Sequence, residues 1–314
     1  MISFGPVPSR RLGNSLGINN IVPPKVCSYN CVYCQVGRTR NLEIRRKIFF
    51  DPETIFNDVR NHLKKRGKMH YPDYLTFVPN GEPTLDKNLG KAIQKVKKFG
   101  IPIAVITNAS LIANKSVRDD LHLADWVSLK MDAADPDTWQ RVNQPDESLD
   151  FISIIENLKL FANDYKGLLR TETMLVDGIN DSIENITGLS EIIKKIKPGK
   201  AYLAIPIRPP SVKSVKPPDI DKLNIAWNIY NDQKINTELL TGFEGIVNRY
   251  TGNIYEDILN ITAVHPLRED SLLNLLQNNN SDLMVVKSLI SQGLLRSTTY
   301  NGNKYYIRGC HIYT

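Results

Sequence analysis

Three cysteines carry the clearest chemistry in this chain: Cys27, Cys31 and Cys34, in the run Val26-Cys27-Ser28-Tyr29-Asn30-Cys31-Val32-Tyr33-Cys34. Three thiolates this close in sequence can hold three irons of a cubane cluster and leave the fourth iron open to another ligand. A structural zinc site asks for four closed ligands, usually in two short-spaced pairs. Here the fourth cysteine, Cys310, lies near the far end of the chain. A disulfide would strand one cysteine of the three, and four cysteines in 314 residues is not the density of a disulfide scaffold. Spacing and context together point to an open-site iron–sulfur cluster on a loop, with zinc or inert thiols as the alternatives.

Around that loop the chain alternates between apolar runs and helical patterns. An apolar segment at residues 16–22 leads into the cysteines, and a helical pattern follows at 52–66, with Pro52 and Glu53 suited to its start. Short β-type runs are expected at 74–78, 101–106, 125–131, 168–175 and 201–207. Helices are expected between them at 86–99, 114–123, 149–162 and 182–197, the first ended by Gly100. Six strand–helix units of this kind make a parallel sheet covered by helices, with chemistry at the C-terminal ends of the strands. Periodicity alone does not separate a partial barrel from a doubly wound sheet.

The CxxxCxxC run, with Tyr33 just before the last cysteine, resembles the radical S-adenosylmethionine (SAM) superfamily. The resemblance implies an α/β fold, an open six-stranded (β/α)6 partial TIM barrel. It also implies a [4Fe–4S] cluster held by Cys27, Cys31 and Cys34, SAM on the open iron, and a reductant such as ferredoxin or flavodoxin. Pro79-Asn80-Gly81-Glu82-Pro83, after the second strand, is similar to the family's Gly-Gly-Glu-Pro, which contacts the SAM amino group. Glycine lets a backbone approach a ligand, and a carboxylate accepts from an ammonium. Asn80 stands in place of the first glycine, so no contact is carried over to it. Thr107-Asn108-Ala109 is similar to the family's Thr-Asn-Gly, with Asn108 either a ligand contact or a turn residue. Ser128, Lys130 and Asp132 share one face of the fourth strand, which in the family offers groups to the SAM carboxylate and ribose. An inward Lys130 asks for an anionic partner. The cofactor set implied is thus Tyr33, Gly81, Glu82, Asn108, Ser128, Lys130 and Asp132. On the fifth strand Arg170, Glu172 and Met174 share a face, with Thr171 and Thr173 opposite; which face looks inward is not legible. The sixth strand is apolar, as an adenine pocket or a plain buried strand would be.

Residues 4–13, Phe4 to Gly13, resemble the start of a radical SAM group that includes relatives of the tRNA wyosine-forming (4-demethylwyosine synthase-like) enzymes. Arg10 and Arg11 there either reach over the top of the site toward an anion or belong to a rigid lead-in. The core is expected over residues 1–210, a linker and accessory helix over 211–255, and a winged-helix-like α+β domain over 256–314. That last reading rests on amphipathic helices at 268–277 and 282–292 followed by a hairpin around Asn301-Gly302-Asn303. A DNA reader should be basic. Residues 253–314 instead carry five Lys/Arg and five Asp/Glu, so docking or packing is preferred. The net charge of +7 lies in residues 1–208, notably at 38–47 and 60–68. It suits a polyanion such as tRNA, or merely a solvated surface; a peptide or protein is the competing substrate class. Two other readings stay open, an activase that needs a protein partner and a non-catalytic iron–sulfur regulator that binds nucleic acid. Cys310 leaves no set for a second cluster. No apolar leader or stretch of twenty apolar residues is present, so a cytoplasmic, membrane-free protein is expected.

Overall fold

The alternation folds, in a computed structural model that describes residues 2–64, 71–242 and 253–309, into one sheet of eight strands. These are β1 (Ser3–Ser9), β2 (Gly13–Ile18), β3 (Tyr74–Phe77), β4 (Ile103–Thr107), β5 (Trp126–Lys130), β6 (Leu168–Met174), β7 (Lys200–Ala204) and β8 (Thr237–Leu240). They lie side by side in chain order. β1 runs antiparallel to β2, and every later pair is parallel. The six expected strands are β2 to β7, the strands of the partial barrel.

Two strands go beyond the expectation. β1 contains Pro6 and Pro8, which lack the N–H of a central ladder; an edge position tolerates them, and the stretch reads from sequence as a lead-in. β8 is only four residues, Thr-Glu-Leu-Leu, too short for period-two alternation to show. The strand–helix alternation therefore continues past residue 210, into the stretch expected to be a linker and accessory helix. Helix α7 (Ile220–Asp232, numbered below) and β8 add one more unit to the barrel.

The covering helices are α1 (Pro52–Lys64), α2 (Leu89–Val96), α3 (Lys115–Leu121), α4 (Pro136–Asn143), α5 (Phe151–Asp164), α6 (Ile183–Ile196) and α7. Their starts are chemically fixed. Asp150, Ser182 and Asp219 each accept a backbone N–H from the first turn of the helix that follows. α4, absent from the expectation, has the same signature: Asp135 caps Thr138 N and Pro136 takes the first position. The outward faces of the strands (Val105, Val127, Leu129, Leu203) join Ile93, Leu121, Phe161 and Ile193 in the main core. A second, inner cluster closes the barrel floor: Leu12, Ala104, Trp126, Tyr202, Ala204 and Leu240. Leu12 belongs to the turn between β1 and β2, at the end of β2 opposite the cysteine loop.

The C-terminal unit comprises α8 (Ile254–Val264), β9 (Leu267–Arg268), α9 (Glu269–Asn278), α10 (Leu283–Ser291), β10 (Leu295–Tyr300) and β11 (Asn303–Arg308). α9, α10 and the β10–β11 hairpin are the expected helix, helix and hairpin. Asn301 and Gly302 both have positive φ, 47° and 73°, as a type I′ turn demands. The unit has its own core around Ile258, Leu272, Leu275, Val286, Leu289 and Tyr306, and Val7 of β1 packs against it.

Replacing Leu12 by alanine should lower unfolding free energy by about 2–5 kcal/mol, the range for a buried leucine. Urea denaturation would show the midpoint falling at constant slope; a loss below about 1 kcal/mol would remove the turn from the inner core.

Candidate active site

The cysteine loop follows the C-terminal end of β2 and is stitched down at three places. Near its start, Glu82 N donates to Val26 O at 3.0 Å, and Val26 forms an isolated parallel bridge with Gly81. A Cβ on Gly81 would lie 1.9 Å from Val26 O, so this glycine is required by close approach of the loop itself. In its middle, Asn30 N and Val32 N donate to Asn143 O and Val142 O at the end of α4, both at 3.0 Å. From the segment after β7, Ser211 Oγ donates to the carbonyls of Cys31 and Val32 at 2.8 Å.

The result is one cavity at the barrel mouth, lined by Cys27, Cys31, Cys34, Tyr33, Gly81, Glu82, Asn108 and Lys130 among others. Among the described residues no three His, Cys, Asp or Glu side chains are arranged around a single ion. Three cysteines lining one cavity suit instead the separate corners of a cubane cluster. Cys27 is buried, and burial lifts its thiol to about 11. Burial, then the neighbouring Cys34 and Asp132, lifts Cys31 to about 12. Ionising such sulfurs needs positive charge, which metal ions bring. Side-chain N–H groups already approach each sulfur: Asn108 at Cys27 (3.6 Å), Asn143 at Cys31 (3.4 Å) and Lys25 at Cys34 (3.1 Å). A donor set of three thiols with N–H partners fits an iron–sulfur cluster.

Beside the sulfurs, Glu82 is a fixed carboxylate. Its Oε1 accepts from Thr84 N (3.0 Å), Thr84 Oγ1 (2.7 Å) and Thr107 Oγ1 (2.6 Å), and Oε2 accepts from Asn108 N (2.8 Å). Burial raises its pKa, opposed by those same donors. Oε2 keeps acceptor capacity toward the cavity. Asn80, by contrast, does not line the cavity; its backbone N–H meets Asn19 Oδ1 at 3.3 Å.

Lys130 reaches Glu172 Oε1 at 2.6 Å, and Arg11 ion-pairs with the other oxygen. Burial lowers the pKa of Lys130, with Asp132 opposing. This fixes the face of β6 that the sequence left open: Glu172 and Met174 look into the cavity, while Thr171 and Thr173 are buried toward the helices. Arg10 and Arg11 do line the site, yet they arrive from the β1–β2 turn on the opposite side of the strands from the cysteine loop. They do not cross over its top. Ser128 and Asp132 share the face of Lys130 but do not line the cavity. Ser128 lies deeper in the barrel. Asp132 accepts from Tyr33 Oη, from Asn143 Nδ2 (2.7 Å) and from Met174 N (2.8 Å), so it holds the cysteine loop from behind.

Lys25, Asn143, Thr84 and Arg208 were not singled out from sequence. Only α4 left a signal, its Asp-Pro start, and that signal does not say that the helix ends beside a sulfur. Cys310 and His311 lie outside the described residues, as do 65–68 of the second basic run. Of the first run, Arg46 is internal, bonded to Thr84 O, Asp86 O and Asp120, and Arg45 and Lys47 flank Glu43. No helix among the described residues is long and apolar enough to cross a membrane.

The barrel with its cysteine-lined mouth defines the class. Residues 21–189 match the Radical SAM superfamily model, and the chain belongs to that superfamily. Over 98% of its length it is 45% identical to a UPF0026 protein of Methanocaldococcus jannaschii, covering 96% of that protein. A UPF0026 protein of Synechocystis sp. is 36% identical over 66% of this chain and 76% of its own. In fold the chain is similar to a radical SAM methyltransferase from Sphaerobacter thermophilus (TM-score 0.54, 14% identity, 80% of this chain and 69% of that one). SuiB of Streptococcus suis, bound to its precursor peptide SuiA, is similar over 71% of this chain and 48% of its own (TM-score 0.52, 18% identity). The protein is therefore an enzyme whose cofactors are a [4Fe–4S] cluster and SAM, and it needs a reductant.

A Gly81→Ala variant should fold, with unchanged far-UV circular dichroism, yet retain less than about half the iron of the wild type after reconstitution, because its Cβ pushes Val26 and the cysteine loop outward. Iron analysis would show this; full iron retention would mean the loop does not depend on that approach.

Proposed function

We propose that the enzyme uses this cavity to begin hydrogen-atom abstraction from a substrate bearing an anionic group. The observation that carries the reading is the convergence of Cys27, Cys31 and Cys34 with Gly81, Glu82 and Asn108 on one cavity. The three cysteines would hold the cluster, which, with SAM bound and an electron delivered by the reductant, would supply the reductive cleavage of the sulfonium that starts radical chemistry.

The chain's own residues do the positioning. Glu82, held by four donors, presents Oε2 to an ammonium such as the SAM amino group. Lys130 and Arg11 bracket Glu172 at the cavity wall, where a cationic side chain can meet a carboxylate. Ile106, Met174, Ala204 and Ile205 give an apolar wall that suits adenine and keeps water from a reactive carbon. Asp132 orients Tyr33 through its hydroxyl, and Lys130 stands over the ring at 5.2 Å.

Arg10 and Arg208 add two further cations to the cavity wall, which favours an anionic substrate. RNA, tRNA in particular, is the first class to try. A peptide is the second, favoured by the fold likeness to SuiB, which is bound to a precursor peptide. The winged-helix-like unit serves packing or docking in this reading: Tyr300 and Tyr305 hydroxyls donate to Pro206 O (3.2 Å) and Ile207 O (2.8 Å) on the cavity wall. Gln35 Nε2, beside the cysteines, donates to Val264 O at 3.0 Å. α10 carries a single Lys and leaves Met284 exposed, a poor surface for phosphates. Ferredoxin or flavodoxin in the cytoplasm is the proposed reductant.

Anaerobic reconstitution with iron and sulfide, then dithionite and SAM, should yield 5′-deoxyadenosine and methionine. The triple Cys27/Cys31/Cys34→Ala variant should yield neither. Cluster and SAM binding without cleavage would favour an activase that needs a protein partner; wild type with no cluster and no SAM binding would overturn the reading. Glu82→Gln should weaken SAM binding about tenfold or more, roughly 1.4 kcal/mol, in equilibrium dialysis at equal iron content. Unchanged affinity would remove Glu82 from the SAM site.

A further inference from the structure

We propose that Lys25 sets the reduction potential of the cluster held by the cysteine loop, an inference that rests on Cys27, Cys31 and Cys34 being its ligands. Three N–H groups from three unconnected parts of the fold approach the three sulfurs, one apiece. Asn108 comes from the turn after β4, Asn143 is the last residue of α4, and Lys25 stands two residues ahead of the loop. They are not equivalent. Asn108 Nδ2 also donates to Ser28 Oγ at 3.0 Å, and Asn143 Nδ2 to Asp132 at 2.7 Å, so each shares its amide with an oxygen that is the nearer partner. Both are neutral.

Lys25 is the charged member, and its approach is the shortest at 3.1 Å. The ammonium is anchored in place because it also donates to Gly37 O at 2.6 Å, on the same loop as Cys34. No ion pair joins it to a carboxylate among the described residues. Its side chain is aimed at the sulfur of Cys34, a sulfur that is a thiolate when it ligates iron.

Reduction of an iron–sulfur cluster adds one negative charge, spread over irons and sulfurs. N–H···S bonds and fixed positive charge stabilise the reduced form more than the oxidised one, and so raise the potential. The neutral amides contribute the directional part of this effect. Lys25 contributes a whole charge as well. Its hydrogen bond is to Cys34, one of the residues that would hold the cluster, so it would act as a positioning and tuning residue.

The test is a redox titration of the reconstituted full chain without SAM, following the reduced-cluster EPR signal, in wild type, Lys25→Met, Lys25→Gln and Lys25→Arg. At the solution potential where the wild type is half reduced, the reduced-to-oxidised ratio should fall about tenfold in Lys25→Met, equivalent to ~59 mV for one electron. Lys25→Arg should stay within about twofold of wild type, since the charge and donor are kept. An unshifted Lys25→Met at full iron content would overturn the proposal. Loss of iron from both Met and Gln variants, with iron kept by Arg, would also overturn it, because Lys25 would then hold the loop through Gly37 instead. A wild type that binds no cluster fails at the cysteines, a result distinguishable from either by iron and sulfide analysis.

Discussion

Three cysteine sulfurs sit where the fold has removed most of the water, and the proposed cluster would require them to be ionised there; much of the surrounding structure bears on that requirement. Burial pushes Cys27 and Cys31 far from the thiolate. A loop that simply carried them would collapse into an apolar plug of protonated thiols. Instead the loop is docked by its backbone, through Val26 on Gly81 and Glu82, through Asn30 and Val32 on α4, and through Cys31 and Val32 on Ser211. These bonds leave the sulfurs facing a cavity. In the proposed cluster, metal ions would supply positive charge at the sulfurs, and the ammonium of Lys25 already stands against one of them.

The barrel interior follows the same electrostatic logic. Glu172 is nearly buried, and Arg11 and Lys130 ion-pair with its two oxygens, so the carboxylate is matched by cations inside the barrel. The cluster-side carboxylate, Glu82, is handled differently, with hydroxyl and amide donors in place of cations. One acid is neutralised and the other is left as an acceptor for a cation from outside. Leu12 closes the floor below them and Arg10 and Arg11 rise from the same turn, so the N-terminal hairpin is both plug and cavity wall. The C-terminal unit completes the other side by fixing Pro206 and Ile207 through tyrosine hydroxyls. An enzyme that generates a reactive carbon has reason to be built shut on both sides.

The sequence by itself determined whatever depends on neighbours a few residues apart. Cysteine spacing, the helix caps at Asp150, Ser182 and Asp219, the Asn301-Gly302 turn and the strand–helix alternation from residue 74 to 204 all belong there, because caps, turns and periodicity are local physics. The resemblance carried by the cysteines and by Gly81-Glu82 then separated a partial barrel from a doubly wound sheet. Tertiary structure decided the rest. Arg11 meets Glu172 across 161 positions, and Asn143 meets Cys31 across 112. Which face of β6 turns inward could not be read because both faces of a barrel strand are buried, so alternation defines two faces without ranking them. β1 and β8 escaped for a related reason: a strand carrying prolines, or one of four residues, is made a strand by the neighbour it pairs with. Lys25 escaped too, since a lysine two residues before a cysteine acquires meaning only when the loop folds back and sets its ammonium against Cys34.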